Sequence, residues 1–479
     1  MTSTTFQYSL ETPKIHLPGP VAELIGETIT FEISGRVAAV RGDSIELDGI
    51  TAPVGAICEI SPNSPDRRLV KVIGFQGVRP IVAPMETMGA ISAGDKVRLL
   101  SRNIALRSGA SLCGRVIDAF GRPIDGKPLP DDLIPVDTRR QPPESLDRPP
   151  IDAAIQTGVR AIDSLLTCGN GQRLGIFAGS GVGKSTLLGM LARGSSADRI
   201  VICMVGERGR EVQEFIQRCL GEEGLRRSVV VVATSDRPAA QRIAATWTAT
   251  AIAESFRDDG QNVLLLVDSV TRLAMAQREL GLAAGEPPTT RGYPPSVFNL
   301  LPQVVERAGR TSLGSITAFY TVLVEGDDNN EPIADTLRGL LDGHIVLNRE
   351  LAAQAQWPPI DVLQSLSRLQ PHLVSRETLN SASIARRHLS VYQKNADLIS
   401  IGAYRNGSDP SVDAAISMRE PMKLFLSQDA NEVAPMEQSL AALNVLATMQ
   451  PKAPAPGNPG QVQAAQVSAG QVQTAQMPA

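Results

Sequence analysis

Residues 176–186 read Ile-Phe-Ala-Gly-Ser-Gly-Val-Gly-Lys-Ser-Thr: an apolar run, a glycine-rich turn, then Lys-Ser at the head of a helix-like run over 184–193. Glycines let successive backbone N–H groups converge without side-chain clash. A helix that follows adds the positive end of its dipole. The chemistry that suits this order of parts is the binding of a phosphate chain. Gly179, Ser180, Gly181, Val182, Gly183, Lys184, Ser185 and Thr186 are therefore the expected nucleotide-binding residues. Lys184 places a point charge on the β- and γ-phosphates, and Ser185 offers a hydroxyl to Mg²⁺. Ala178 stands where the strict pattern has glycine, which matters only if that position needs a positive φ. The competing reading is a strand-to-helix turn with no ligand.

Two further strand ends carry acids. Asp268 follows directly on the apolar run 263–267. There it can hold the hydration shell of Mg²⁺ opposite Ser185, or simply begin a turn. The apolar run 200–205 leads into Gly206-Glu207-Arg208-Gly209-Arg210-Glu211. Ligands of open α/β sheets bind outside the carboxyl ends of the strands. Glu207 is thus placed to orient an attacking water, and Arg208 or Arg210 to meet a γ-phosphate. A solvated, charged helix start fits 207–211 equally well, since exposed Glu–Arg pairs contribute little.

The elements that must position these groups are legible in the hydrophobic pattern. Near-continuous apolar runs at 174–178, 200–205, 229–233, 263–267 and 316–324 alternate with helix-like segments. Such runs suit buried parallel strands, and the alternation implies a doubly wound α/β core. Upstream, short β-rich runs at 29–40, 44–47, 69–75 and 96–100 alternate with Gly, Pro and Asp turns, the pattern of a small barrel. Proline punctuates 123–150 as a connector. From 375 to 449 glycine becomes rare and Leu, Ala, Gln, Glu and Arg dominate, which predicts helices. The expected fold class is α/β, with an N-terminal small β-barrel, a central doubly wound core and a C-terminal helical domain. The expected divisions are a flexible lead over 1–27, the barrel over 28–100 and the nucleotide-binding domain with its connector over 101–374. A helical domain over 375–450 and a low-complexity tail over 451–479 complete them. Pro, Gly, Gln and Ala alone cannot sustain a core, so the tail is expected to be disordered.

Composition narrows the function classes. The 479 residues are 42% hydrophobic and 20% charged, with a net charge of -4, and suit a globular protein rather than a general nucleic-acid binder. No apolar run approaches the roughly 20 residues that span a bilayer. Residues 1–10 lack a basic start followed by an apolar block, so no secretory signal is expected. The 5 cysteines are scattered without a Cys-x-x-Cys, as expected for free thiols in a reducing cytosol. The 4 histidines lack metal-ligand spacing.

Taken together, the loop at 178–186, the segment VGERGRE at 205–211 and Asp268 resemble the catalytic subunits of rotary F-type and V-type ATPases. They resemble the type III protein-export relatives of those subunits more closely still. Segments similar to that subfamily recur in one order: DSVTR at 268–272, EPPTTRGYPPSVF at 286–298, GSITAFYTVLVEGDD at 314–328, LDGHIVL at 341–347 and IGAY at 401–404. The resemblance spans roughly residues 28–450.

The resemblance implies a RecA-like P-loop ATPase core that takes ATP and Mg²⁺. It makes Lys184 the phosphate lysine, Ser185 and Asp268 the Mg²⁺ partners and Glu207 the catalytic glutamate, with Arg208 near the γ-phosphate. Leu366-Ser367-Arg368 matches the segment of the arginine finger, so Arg368 is expected to act in trans on a neighbouring subunit. Trp357, before Pro358-Pro359-Ile360-Asp361, stands where relatives stack an aromatic, usually tyrosine, on adenine. Tryptophan keeps a stacking face, and a core aromatic is the alternative.

The implied function is the ATP-hydrolysing motor subunit of a type III, flagellar, protein-export apparatus. It forms a homohexameric ring that releases or unfolds export substrates at the membrane export gate. Implied partners are further copies of itself, a central stalk protein, a dimeric regulator, the export-gate membrane proteins, and export substrates with their chaperones. No nucleic acid is expected, and the implied location is cytoplasmic, peripheral at the inner-membrane export apparatus. The alternatives are a virulence-type injectisome ATPase, a catalytic subunit of an ion-translocating rotary ATPase, a ring-shaped RNA translocase and a non-catalytic nucleotide-binding scaffold. An RNA translocase needs a stacking platform that 4% aromatic residues poorly supply, and a scaffold has no use for Glu207. Two departures stand out: the amphipathic pattern within 1–27 is weak for docking a regulator, and 451–479 has no counterpart in the family pattern.

Overall fold

The computed structural model describes residues 33–42, 44–61, 68–324 and 331–449. The expected lead over 1–27, the tail over 451–479 and the end of the 314–328 segment lie outside the described residues.

Six antiparallel strands close a barrel: Ser34–Arg41, Ser44–Asp48, Ile57–Ile60, Arg68–Gln76, Arg79–Pro84 and Lys96–Ser101. Side chains alternate across a strand. In the fourth strand Val70 and Val72 therefore fill the barrel core, with Ile45, Leu47, Ile60 and Val82. Lys71 between them faces the other way. Two of these strands were not expected from sequence. Ile57–Ile60 is only four residues long, and Arg79–Pro84 holds two prolines, which normally argue against a strand. Pairing on both sides in the closed barrel carries both strands.

The central sheet has nine strands. Eight follow the order Leu366–Ser367, Gly343–Leu347, Arg173–Ala178, Ser315–Leu323, Asn262–Asp268, Arg199–Val205, Ser228–Ala233, Val116–Asp118. Neighbours are parallel from Gly343–Leu347 to Val116–Asp118. The Leu366–Ser367 strand is antiparallel, and Gly309–Arg310 pairs antiparallel with the start of Ser315–Leu323. The five expected strands form the middle. Two apolar clusters cover the two faces, as the unbroken Val/Ile/Leu runs require. The Ala-rich helix Ala239–Asp258 lies on one face with most of its residues buried. Small side chains allow that close approach.

Three C-terminal helices follow: Arg376–Ser400, Pro410–Leu426 and Met436–Thr448. Ser375 and Asp409 cap the first two through their side chains. Arg160 ties them to the core by donating to the Ser427 carbonyl at 2.9 Å, and Gln428 donates back to the Gly158 carbonyl at 2.7 Å.

Candidate nucleotide and catalytic site

The strand Arg173–Ala178 ends where the glycine-rich loop begins, at the carboxyl edge of the sheet. Ala178 belongs to that strand and is extended, so alanine costs nothing there. The turn itself does need glycine: Gly181 and Gly183 have φ of 76° and 101°. A Cβ on Gly181 would meet no atom within 4 Å, so the loop backbone faces open space. The helix Lys184–Gly194 then starts with Gly183 as its N-cap.

Three strand ends deliver the charged groups to one point. Lys184 Nζ donates to Glu207 Oε1 at 3.1 Å and also to Asp268 Oδ1. Both acids are buried, Glu207 at 5% and Asp268 at 1% exposure. Burial opposes the charge on Lys184, but attraction to Asp268 and Glu207 and their hydrogen bonds outweigh it and hold its pKa above the ordinary lysine value. Gly206, at φ 70°, turns the chain so that Glu207 points back into the site. A Cβ on Gly206 would sit 2.9 Å from Arg272 Cδ, so glycine also makes room for that side chain.

Sequence reasoning missed three groups. Arg272 Nε lies 3.4 Å from Glu207 Oε1. It stands four residues after Asp268, at the first turn of the helix Val270–Ala283, a spacing that could have flagged it. Thr321 is fully buried, and its Oγ1 donates to Asp268 Oδ1 at 2.7 Å. Its hydroxyl is one of several in a largely apolar strand, so nothing in the local sequence singled it out. Arg349 donates to the Ser180 carbonyl at 3.3 Å and braces the loop, and nothing in its local sequence announced it.

The remaining expected residues lie as follows. Ser185 and Thr186 line the same cavity of about 930 Å³ as Gly179, Ser180, Gly181 and Gly183. Val182 is buried beneath the loop. Arg208 also borders the cavity, but its side chain is 79% exposed and its ion pair, with Glu211, is 3.6 Å long. Trp357 is 42% exposed, so it is not a core aromatic, and its ring edge lies 2.7 Å from where a Cβ on Gly183 would stand. Arg368 is exposed beside the short strand Leu366–Ser367 and donates to the Arg338 carbonyl at 3.2 Å. Ser367 pairs with Gly343, at the opposite end of the sheet from the loop, so Arg368 does not join Lys184 within one chain.

This donor set fits a magnesium nucleotide. The loop offers N–H groups to phosphate, and Ser185 and Asp268 offer the hard oxygens that Mg²⁺ prefers. Among the described residues no cluster of three or more His, Cys, Asp or Glu could hold a metal alone. Mg²⁺ in phosphate sites rests on one or two protein oxygens and takes the rest from phosphate and water, which matches.

Comparisons with known proteins follow the same lines. A family model described as the ATP synthase alpha/beta family, nucleotide-binding domain, matches residues 158–367. A second, the T3SS EscN ATPase C-terminal domain, matches residues 374–445. The chain is 52% identical over 426 residues to a flagellum-specific ATP synthase of Bacillus subtilis, which covers 88% of this chain and 97% of the relative. It is 49% identical over 395 residues to the SPI-2 type 3 secretion system ATPase of Salmonella typhimurium, covering 82% of this chain and 90% of the relative. The assembled ATPase EscN of the enteropathogenic E. coli type III secretion system superposes with a TM-score of 0.82 at 44% identity, covering 86% of this chain and 100% of that one. EscN in complex with its central stalk EscO gives 0.80 at the same identity and coverage.

Proposed function

This chain belongs to the family of flagellum-specific ATP synthases and type III secretion ATPases, and we propose that it is the ATP-hydrolysing motor subunit of a flagellar protein-export apparatus. The observation that carries the catalytic part is Lys184 held between two buried acids, Glu207 and Asp268, at the mouth of a phosphate-binding loop. Without nucleotide the lysine bridges both carboxylates, and Arg272 beside Glu207 supplies the second positive charge that balances them. With ATP in the loop, Lys184 turns to the β- and γ-phosphate oxygens. That frees Glu207 to orient a water in line with the γ-phosphorus, while Asp268 and Ser185 face the metal. Mg²⁺, when bound, neutralises charge on the β- and γ-phosphates. Water adds to the γ-phosphorus as its bond to the bridging oxygen of ADP breaks, and Glu207 accepts the hydrogen bond of the attacking water. Arg272 keeps Glu207 oriented, and Arg349 braces the loop. Trp357 offers a face for adenine.

Arg368 acts from the neighbouring subunit in this reading, which requires a ring. The assembled form of the EscN relative supports self-association, and its complex with EscO supports a central stalk partner. We assign a homohexamer on that basis. We extend the proposal to a dimeric regulator, export-gate proteins, chaperoned substrates and a cytoplasmic position at the export apparatus, as the family resemblance implies. None of the described helices is long and apolar enough to cross a membrane. The test is Glu207→Gln, which should bind ATP with near wild-type affinity and hydrolyse it very slowly. Unimpaired turnover in that variant removes Glu207 from catalysis. The injectisome reading is supported by the 49% identical secretion relative. Deletion of the gene in the source organism separates the two, since loss of swimming marks the flagellar system.

A further inference from the structure

A second cluster of cations lies where the barrel meets the nucleotide-binding core, around a cavity of about 500 Å³; Arg307 is buried, Lys71 half-buried, and Arg139 and Arg140 reach solvent. Lys71, Arg139, Arg140 and Arg307 line it, and Glu286 is the one carboxylate among its described lining residues. The matched and unmatched charges separate cleanly. Arg307 forks onto Glu254, with Nε to Oε1 at 2.8 Å and Nη2 to Oε2 at 2.5 Å, and donates its third nitrogen to the Thr138 carbonyl at 2.9 Å. Arg140 donates to Asp258 at 2.5 Å. Glu286 Oε2 accepts from the Ser296 N–H at 3.1 Å and makes no ion pair among the described residues, so it is the one negative charge that an anion in the cavity would have to avoid.

Lys71 and Arg139 differ. Arg139 donates to the Gly55 carbonyl, and a Cβ on Gly55 would lie 2.6 Å from its guanidinium, so glycine there admits the arginine. Its backbone N–H, not its guanidinium, bonds Asp137, at 2.8 Å. Lys71 is half-buried and has neither a hydrogen-bond acceptor nor an ion-pair partner among the described residues. Burial, and then repulsion from Arg139, push its pKa down to about 8. An ammonium in that position normally finds an acid or loses its proton.

We propose that this cavity is a binding site for a small phosphate-bearing anion, gripped by Lys71 and Arg139. The chemistry is that of an oxyanion: a lysine supplies a point charge and an arginine a planar fork of donors. The partially polar wall and the volume suit one or two phosphate groups with their water. The assignment stands on residues outside the catalytic cavity and does not depend on the role of Lys184. The site touches the barrel strand Arg68–Gln76, the connector at 138–142 and the helix Val270–Ala283 that leaves Asp268, so an occupant would couple barrel position to the catalytic strand ends.

The experiment is amine acylation of the full chain, read at the Lys71 peptide by mass spectrometry near pH 7.5. Inorganic phosphate or pyrophosphate is compared with chloride at matched ionic strength. An anion that raises the Lys71 pKa by one unit lowers its neutral, reactive fraction about tenfold. Labelling of Lys71 is therefore expected to slow about tenfold with either probe, both in the wild type and in Lys184→Ala, where the phosphate loop is disabled. Arg139→Gln should lose most of that protection. Equal labelling in phosphate and chloride overturns the proposal. So does protection that vanishes in Lys184→Ala, since it would then be transmitted from the catalytic loop. Should Arg139→Gln fail to fold, the wild type and Lys184→Ala decide the matter between them.

Discussion

Lys184 and Lys71 are both enclosed lysines, and the molecule treats them oppositely. Lys184 sits between Glu207 and Asp268, and its pKa is raised despite burial. Lys71 lies near Arg139 with no ion-pair partner among the described residues, and its pKa falls to about 8. Burial is the largest influence on each, so burial alone says nothing of charge state. The partner set decides. At the loop, the chain supplies two negative charges that a magnesium nucleotide can displace. At the barrel junction Lys71 and Arg139 have no ion-pair partner among the described residues, as an anion site would require.

The largest effect expected in this comparison falls on the junction's matched pair. Glu254→Ala strands the buried Arg307 guanidinium and should cost about 3–5 kcal/mol in stability, read by denaturant unfolding. A loss under 1 kcal/mol would mean that the junction does not rely on charge matching. Lys184→Ala comes next. It removes the lysine proposed to hold the phosphates and should lower turnover about 10²–10³-fold or more while abolishing tight nucleotide binding. Normal ATP affinity there would detach the loop from the phosphates.

Lys71→Met tests the unmatched side through pH. The folded pKa of Lys71 lies below its ordinary value of 10.5, so the native state resists its proton. The resulting penalty is fully present below about pH 8 and fades as pH rises toward 10.5. Stability of the wild type should therefore climb by roughly 1–3 kcal/mol across that window relative to Lys71→Met, which has no such group. Parallel curves for the two proteins would show that Lys71 is not strained. Thr321→Val is the mildest change. It keeps shape but takes one hydrogen bond from Asp268, and should lower turnover about tenfold with little change in stability. An unaltered rate would mean that Lys184 alone orients that carboxylate.

Much of the catalytic side was legible in the sequence because its parts are local. Glycines, Lys184 and Ser185 are contiguous, and Asp268 and Glu207 each follow an apolar strand that announces where its end must lie. The five central strands were equally plain, since burial on both faces leaves unbroken apolar runs. The barrel strand Arg79–Pro84 was hidden by its prolines, and the edge strand Val116–Asp118 by its length of three residues. Lys71 and Arg139 were invisible for a different reason. They are 68 positions apart, and a lysine in an alternating strand reads as solvent-facing until the packing of barrel on core is known. Arg349 against Ser180 is non-local in the same way, bridging 169 positions. Ala178 shows the reverse: a suspect residue in the motif, made innocent by an extended backbone.

In the proposed ring, one active site is built from Lys184, Glu207 and Asp268 of one subunit and Arg368 of the next. The most direct measurement is ATP turnover of mixed rings made from Glu207→Gln and Arg368→Ala subunits, each inactive alone. An arginine finger is worth about 10³–10⁵ in rate, so restored sites stand far above background. In a mixed ring, an Arg368→Ala subunit keeps its own Glu207 and can receive Arg368 from a Glu207→Gln neighbour. Mixing is expected to restore turnover, to about a quarter of the wild-type sites at equal ratio on random assembly. Mixtures with no more activity than either parent would contradict a site shared between subunits.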